Sequence, residues 1–424
     1  MKKTIKQNIL SILITVTALA FSSCYSPIYY GIMNDVAPEK ATVSGNISTI
    51  ARGLVDGEEY LFLNGNGGLM YKALSSAKHG EWTSYKELPF DLHHYNYYYT
   101  SKDGHEGQQV LRVITDQNNI YLLSVKYETD TEDGIVLPEQ FFLWTRPLNG
   151  FIQGKKDAWT NLAEGEGAKA FPTKKNTEEG SFETYFNLVY TNSPKPEHRK
   201  AFIRSTDPNT KADTYYALNG SAALTKDDSI GASNYIATDT DKKNTRVNSA
   251  FYIGDTLYYS DSQVVCTNES LNTPASYACL SSSDTNYNST KKLYLFEGDP
   301  SAMSLLVEAK SAIASLAITA DSVIIGEGSY NASYTSNGGI QRIELDSSSK
   351  PKKETAKFTN NAEYQFTSAY IVMSLLCADP SKTEAQSSLY ATITYRGAGT
   401  SSSATPANIG LWSYYPLRGN WNRE

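Results

Sequence analysis

ISTIARGLVDGEEYLFLN, residues 47–64, places two β-type runs on either side of an Asp-Gly turn. Ile, Leu, Val, Tyr and Phe favour extended backbone, and Asp-Gly reverses the chain tightly, so the stretch reads as an antiparallel hairpin. The plan returns as VLRVITDQNNIYLLSV at 110–125, NSAFYIGDTLYYSD at 248–261 and SLAITADSVIIGEG at 315–328. It also returns, with a longer insertion, as YIVMSLLCADPSKTEAQSSLYATITY at 370–395. FETYFNLVYT at 182–191 is a sixth, weaker copy whose preceding strand is not evident.

Each hairpin is followed by a third strand and usually by a fourth bearing an aromatic residue. These endings are read at 67–88, 139–162, 198–218, 291–308, 338–358 and 410–424. The first and last agree best: Gly-Leu and aromatics on the third strand, then Gly80-Glu81-Trp82 and Gly419-Asn420-Trp421. Six such units predict an all-β chain, a β-propeller of six blades, each a four-stranded antiparallel sheet. Seven blades would require a hidden strand pair within 222–247. The competing architecture is a pair of β-sandwiches, but no linker divides the chain into halves.

The order hydrophobic strand, Gly67-Gly68, Tyr71, Trp82 resembles a kelch repeat, and Gly338-Gly339 is a second trace of it. That resemblance implies a Gly pair closing the second strand, with Tyr and Trp packed between blades. Ser205-Thr206-Asp207 is similar to the start of the Asp box of sialidase-like propellers, placed on a third-to-fourth strand turn; the Gly and Trp that complete the box are missing. Each match covers one unit and bears on architecture more than on activity.

Lys2, Lys3 and Lys6 precede a mostly apolar run from Ile9 to Phe21, the pattern of a secretory signal peptide over 1–23. Phe21-Ser22-Ser23-Cys24 resembles a bacterial lipobox of the looser spirochaete type, departing from the usual form at Phe21 and Ser23. The resemblance implies acylation of Cys24 and a tether over 24–42, and the repeated units place the propeller domain over 43–424. The partner implied is a membrane, reached through lipidated Cys24, which places the protein in the cell envelope.

The whole chain has 38 basic and 45 acidic residues, and the three lysines of 1–23 leave 35 against 45. That balance argues against nucleic acid as a partner. With 31 Tyr, 14 Phe and 5 Trp, the aromatic load suits β-rich surfaces.

Cys266 and Cys279 flank a polar stretch and read as a disulfide or as two free thiols, whereas Cys377 lies in an apolar run and reads as a buried thiol. DLHHYNYYYTSKDGHEG at 91–107 carries three of the five histidines. Adjacent His93 and His94 point to opposite faces of an extended chain, so His93, His94, Tyr95, Tyr97, Tyr98, Tyr99 and His105 read as a ligand-binding surface rather than a metal site. Asp284-Thr285-Asn286-Tyr287-Asn288 opens like an EF-hand, but Ser289 replaces the Gly and Leu295 the closing Glu. Asp130-Thr131-Glu132-Asp133-Gly134 reads as a solvated acidic turn.

GxSxG is absent, and no Gly-rich phosphate loop precedes a helix, so no catalytic residue, metal or cofactor is assigned. Arg52, Arg112 and Arg246 lie on or beside first strands and could form the arginine triad of a sialidase-type site. The function expected is a membrane-anchored, monomeric, non-catalytic binding or scaffold propeller for a protein or glycan ligand. The alternatives are a secreted glycoside-acting hydrolase or lyase on the same scaffold, and an outer-membrane assembly scaffold.

Overall fold

The structure is a computed structural model. It describes residues 42–45, 47, 49–76, 81–92, 107–129, 136–154, 158–176, 181–220, 223–232, 234–236, 246–253, 255–260, 277–281, 292–296, 304–308, 313–328, 338–348, 351–366, 370–395 and 409–424. Val43–Glu424 forms one compact unit, distinct from Met1–Thr42. No helix among the described residues is long and apolar enough to cross a membrane.

The fold is all-β and built mainly from four-stranded antiparallel sheets. Sheet 1 comprises β1 (Ile50–Val55), β2 (Glu58–Gly65), β3 (Gly68–Ala73) and β4 (Thr83–Ser84) in chain order. Asp56 and Gly57 turn β1 into β2, and Asn66 and Gly67 turn β2 into β3, all four at positive φ. Paired left-handed residues match the twist of a hairpin, which is why Asp-Gly and Asn-Gly occur there. Alternation then divides the sheet: Ala51, Val55, Phe62 and Leu69 pack toward sheet 2, and Ile50, Leu61, Leu63 and Met70 pack toward the last sheet.

Sheet 2 follows with β5 (Gln108–Thr115), β6 (Asn119–Thr129), β7 (Val136–Pro147) and β8 (Thr160–Asn161). Sheet 3 holds Phe186–Tyr190, Ala201–Thr206, Asp213–Leu218 and Thr225–Lys226. Sheet 4 holds Ser249–Ile253 and Thr256–Ser260, with Tyr235–Ile236 pairing parallel to the latter. Tyr277–Ser281, Lys292–Phe296 and Ser304–Glu308 form sheet 5. Sheet 6 spans Ile313–Ile318 to Pro351–Ala356, and sheet 7 spans Tyr370–Cys377 to Asn420–Arg423.

Two expectations are corrected here. Residues 248–308 carry two separate sheets rather than one unit, which gives seven such sheets among the described residues; within the described part of 222–247 the only strands are the two-residue Thr225–Lys226 and Tyr235–Ile236. The third unit also slips by one strand. Phe186–Tyr190 is its first strand, and the preceding Ser181–Thr184 belongs to an inserted hairpin with Thr173–Asn176. Ser205-Thr206-Asp207 consequently sits at the second-to-third turn, away from the position an Asp box would need.

Neighbouring sheets share apolar cores. Ile114, Leu123 and Leu143 meet Leu188 and Ile203 between sheets 2 and 3, and Val189 and Phe202 meet Val247 and Ala250 between sheets 3 and 4. Sheets 6 and 7 approach so closely that a Cβ on Gly326 would lie 2.8 Å from Val372. Sheet 7 packs in turn on sheet 1, through Leu376, Tyr390, Leu411 and Tyr415.

Strands of sheet 1 bond to the first-to-second strand connection of sheet 3 and to the end of the first strand of sheet 7. Arg52 Nη2 donates to the Cys377 and Ala378 carbonyls, the latter at 3.0 Å. Asn192 Nδ2 donates to the Ile50 carbonyl at 2.9 Å, and Arg199 grips Glu59 at 2.8 Å. The chain enters sheet 1 at the turn from β2 into β3: the Asn66 amide donates to Ser44 O at 2.8 Å, the Ser44 amide to Asn66 Oδ1 at 2.9 Å, and the Val43 amide to Glu424 O at 3.3 Å.

Candidate functional site

β3 leaves the body of sheet 1 at Ala73, and the chain returns as β4 at Thr83. Beneath this return lies a cleft of about 400 Å³, walled by Tyr60, Tyr71 and Trp82 and edged by Ser76, Glu81 and Thr83. β-strand alternation makes it. Tyr71 and Tyr60 lie on the sheet 2 side with their rings 6.2 Å apart, while Lys72, one residue on, turns toward sheet 7. Trp82 packs edge-on against Tyr390 of sheet 7 at 6.4 Å.

Lys72 forms the floor and is only 2% exposed. Its ammonium lies 4.9 Å from the Tyr415 ring centre and 5.9 Å from those of Trp82 and Tyr390, donates to the Tyr415 hydroxyl at 2.5 Å, and faces Glu424 Oε1 at 3.7 Å. Burial lowers the lysine pKa from its ordinary range, and the Glu424 carboxylate opposes that shift. Ring faces and a carboxylate replace the water this cation has lost.

Two carboxylates border the walls. Glu58 accepts from the Tyr60 hydroxyl at 3.2 Å and from Ser75 Oγ at 2.8 Å, and Glu81 accepts from Ser76 Oγ. Burial, reinforced by Glu58, raises the Tyr60 phenol pKa and keeps it a donor. The cleft therefore offers flat aromatic faces, hydroxyls and acceptors together, a lining suited to a polar ligand with an apolar face.

The three arginines singled out in the sequence do not converge. Arg52 serves the carbonyls of sheet 7, Arg112 donates to Asn187 at 3.1 Å, and Arg246 pairs with Asp213 at 3.1 Å. Burial lowers the pKa of both Arg52 and Arg112. Cys377 is buried and free. Among the described residues, no three His, Cys, Asp or Glu side chains gather into a metal-holding group.

His93, His94, Tyr95, Tyr97, Tyr98, Tyr99 and His105 lie outside the described residues, as do Cys24, Cys266, the 130–134 turn and 284–291. For Cys279 the description is limited to its backbone, in Tyr277–Ser281. Tyr71, Glu81 and Trp82 of the cleft stood in the first-unit motif. Tyr60 and Lys72 did not, although a lysine on the same strand face as Met70 is a readable sign of a buried cation.

No family model matches the chain, and no curated protein does. Among solved structures, puromycin hydrolase aligns over 92% of this chain at 9% identity with a TM-score of 0.36. The chain spans about half of that protein, 47% of its length. Sqt1 of Saccharomyces cerevisiae aligns over 90% of this chain and 85% of its own at 9% identity and a TM-score of 0.28. A structure from the GH130 family of mannoside phosphorylases, described as containing hydrolases of β-1,2-mannosidic linkages in Candida mannan, aligns over 88% and 86% at 11% identity and 0.29. Similarity of this order transfers no activity to this chain.

Proposed function

We propose that Val43–Glu424 is a seven-bladed β-propeller, held at the cell envelope by acylated Cys24, that binds a saccharide in the sheet 1 cleft without transforming it. The architecture is supported by seven sheets in chain order with the seventh packed on the first. Anchoring is supported by the lipobox-like Phe21-Ser22-Ser23-Cys24 behind an apolar leader.

The observation that carries the binding reading is the lining of the cleft: three aromatic rings, Ser and Thr hydroxyls and a carboxylate rim. A pyranose presents C–H faces that stack on rings and hydroxyls that need both donors and acceptors. The volume lies within the range of small-molecule sites, roughly 300–1,000 Å³. A rigid platform carrying a preformed cleft suits recognition.

Titration of the full chain with a panel of soluble oligosaccharides tests this. At least one should bind, and Tyr60→Ala should weaken it tenfold or more, about 1.4 kcal/mol. Unchanged binding in Tyr60→Ala would remove the cleft from the account.

Glycoside hydrolysis on the same scaffold is the second reading, favoured by Glu81, which lines the cleft, and by Glu58, which lies behind it on the Tyr60 hydroxyl. It predicts release of reducing sugar, abolished in Glu58→Gln or Glu81→Gln. Binding without turnover supports the first reading.

A further inference from the structure

Arg199 pairs with Glu59, Arg246 with Asp213, and Arg342 with Asp321, Glu344 and Glu384, while Arg146 lies over the rings of Phe151 and Trp159. Arg112, half-buried on β5, meets neither a carboxylate nor a ring face among the described residues. Its Nη1 donates to Asn187 Oδ1 at 3.1 Å, a neutral acceptor, and its other nitrogens find no acceptor there. Burial lowers its pKa, and the group that opposes this shift is the Tyr190 phenol. Asn187 and Tyr190, both half-buried, stand on the first strand of sheet 3. That strand and β5 are each paired along one edge only, and Tyr190 packs on the core that joins sheets 2 and 3. Asn187 Oδ1 is taken by Arg112, so Nδ2 is left to donate. Burial raises the Tyr190 phenol pKa and keeps its hydroxyl a donor as well.

We propose that Arg112, Asn187 and Tyr190 form a second binding site, between the first strands of sheets 2 and 3, for a small oxyanion: a carboxylate or a phosphate group. A guanidinium keeps its proton when desolvated. The cost of that charge therefore stays with the folded chain unless an anion answers it. The planar fork of Arg112 can hold two oxygens of one carboxylate or phosphate, and Asn187 Nδ2 and the Tyr190 hydroxyl add neutral donors beside it. Donors without a carboxylate among them select an anion over a cation. None of the three residues lines the sheet 1 cleft, so the proposal is independent of the saccharide reading. An anion held here binds the folded chain and not the unfolded one, and so raises stability by mass action.

The test is thermal unfolding of the full chain in a chloride buffer without carboxylate or phosphate, titrated separately with acetate and with inorganic phosphate at constant ionic strength. At least one of the two should raise the wild-type unfolding midpoint saturably. A response to acetate alone assigns the site to a carboxylate, and a response to phosphate alone assigns it to a phosphate group. Arg112→Met, which replaces the cation by an apolar chain, should abolish the response. Tyr190→Phe keeps the ring and loses the hydroxyl; it should need at least threefold more anion to reach half the shift. No saturable response in wild type, or equal responses in wild type and Arg112→Met, overturns the site. If Arg112→Met does not fold, Tyr190→Phe decides, and a response there identical to wild type overturns the proposal.

Discussion

Between sheets 2 and 3 the core side chains are Ile114, Leu123, Leu143, Leu188 and Ile203, all apolar, with the Arg112–Asn187 hydrogen bond beside them. Between sheets 7 and 1 an ammonium and a carboxylate, Lys72 and Glu424, are buried among Trp82, Tyr390 and Tyr415. The apolar junction gains free energy from burial and tolerates small shifts along the interface. The polar junction must be in register, because a displaced Lys72 would lose both its carboxylate and its aromatic box. Those are the sheets farthest apart in sequence, whose meeting has the least help from local chain connectivity. The cleft lies on that junction and shares Lys72 and Trp82 with it, so the contact that fixes sheet 7 on sheet 1 also fixes the walls of the site.

The largest effect is expected at Arg52, which donates across the polar junction to two carbonyls of sheet 7. Arg52→Ala leaves both carbonyls and a cavity behind, and urea unfolding should register a loss of about 4 kcal/mol. Leu143→Ala, fully buried at the apolar junction, should cost about 3 kcal/mol in the same assay. A larger loss at Leu143 than at Arg52 would reverse the contrast.

Next comes a pair of variants at one site. Glu424→Gln leaves the Lys72 charge without its carboxylate, and Lys72→Met leaves the equally buried Glu424 carboxylate without its cation, so each should cost about 2 kcal/mol, whereas the double variant, which carries neither charge, should cost less than the sum of the two. Losses that simply add in the double variant would mean that the two charges do not compensate each other.

The smallest effect is at Cys377, behind Arg52. Burial pushes its thiol up to about 11 from an ordinary value of 9.0. The folded chain keeps a proton that the unfolded chain has released, so this contribution is whole below about pH 9 and fades as pH rises through about 11. Unfolding free energies of wild type should fall more steeply than those of Cys377→Ala, by on the order of 1 kcal/mol between about pH 9 and 10. Parallel slopes would contradict the buried thiol.

Hairpins whose apolar runs flank a short polar turn or a polar insertion were readable in the sequence, and 47–64, 110–125, 315–328 and 370–395 each form the first two strands of a sheet. Phe182–Thr184 misled because a strand of an inserted hairpin has the same composition as a strand of a sheet, and alternation does not say which partner it takes. Residues 248–308 merged into one unit because Tyr277–Ser281 follows a long polar stretch and has no tight turn to announce it. The contacts of Arg52, Asn192 and Arg199 could not be read, since each joins positions more than a hundred residues apart. Tyr71 and Trp82 were legible as packing residues; their convergence with Tyr60 on one cleft depends on the register of β2 and β3.

Hydrogen exchange with and without a bound oligosaccharide tests the central claim most directly. Slowed exchange confined to 58–62, 71–76 and 81–84 is the result predicted for a saccharide in the sheet 1 cleft. Slowed exchange confined to 93–106, or to the first-to-second strand connections at 191–200 and 378–388, would contradict it.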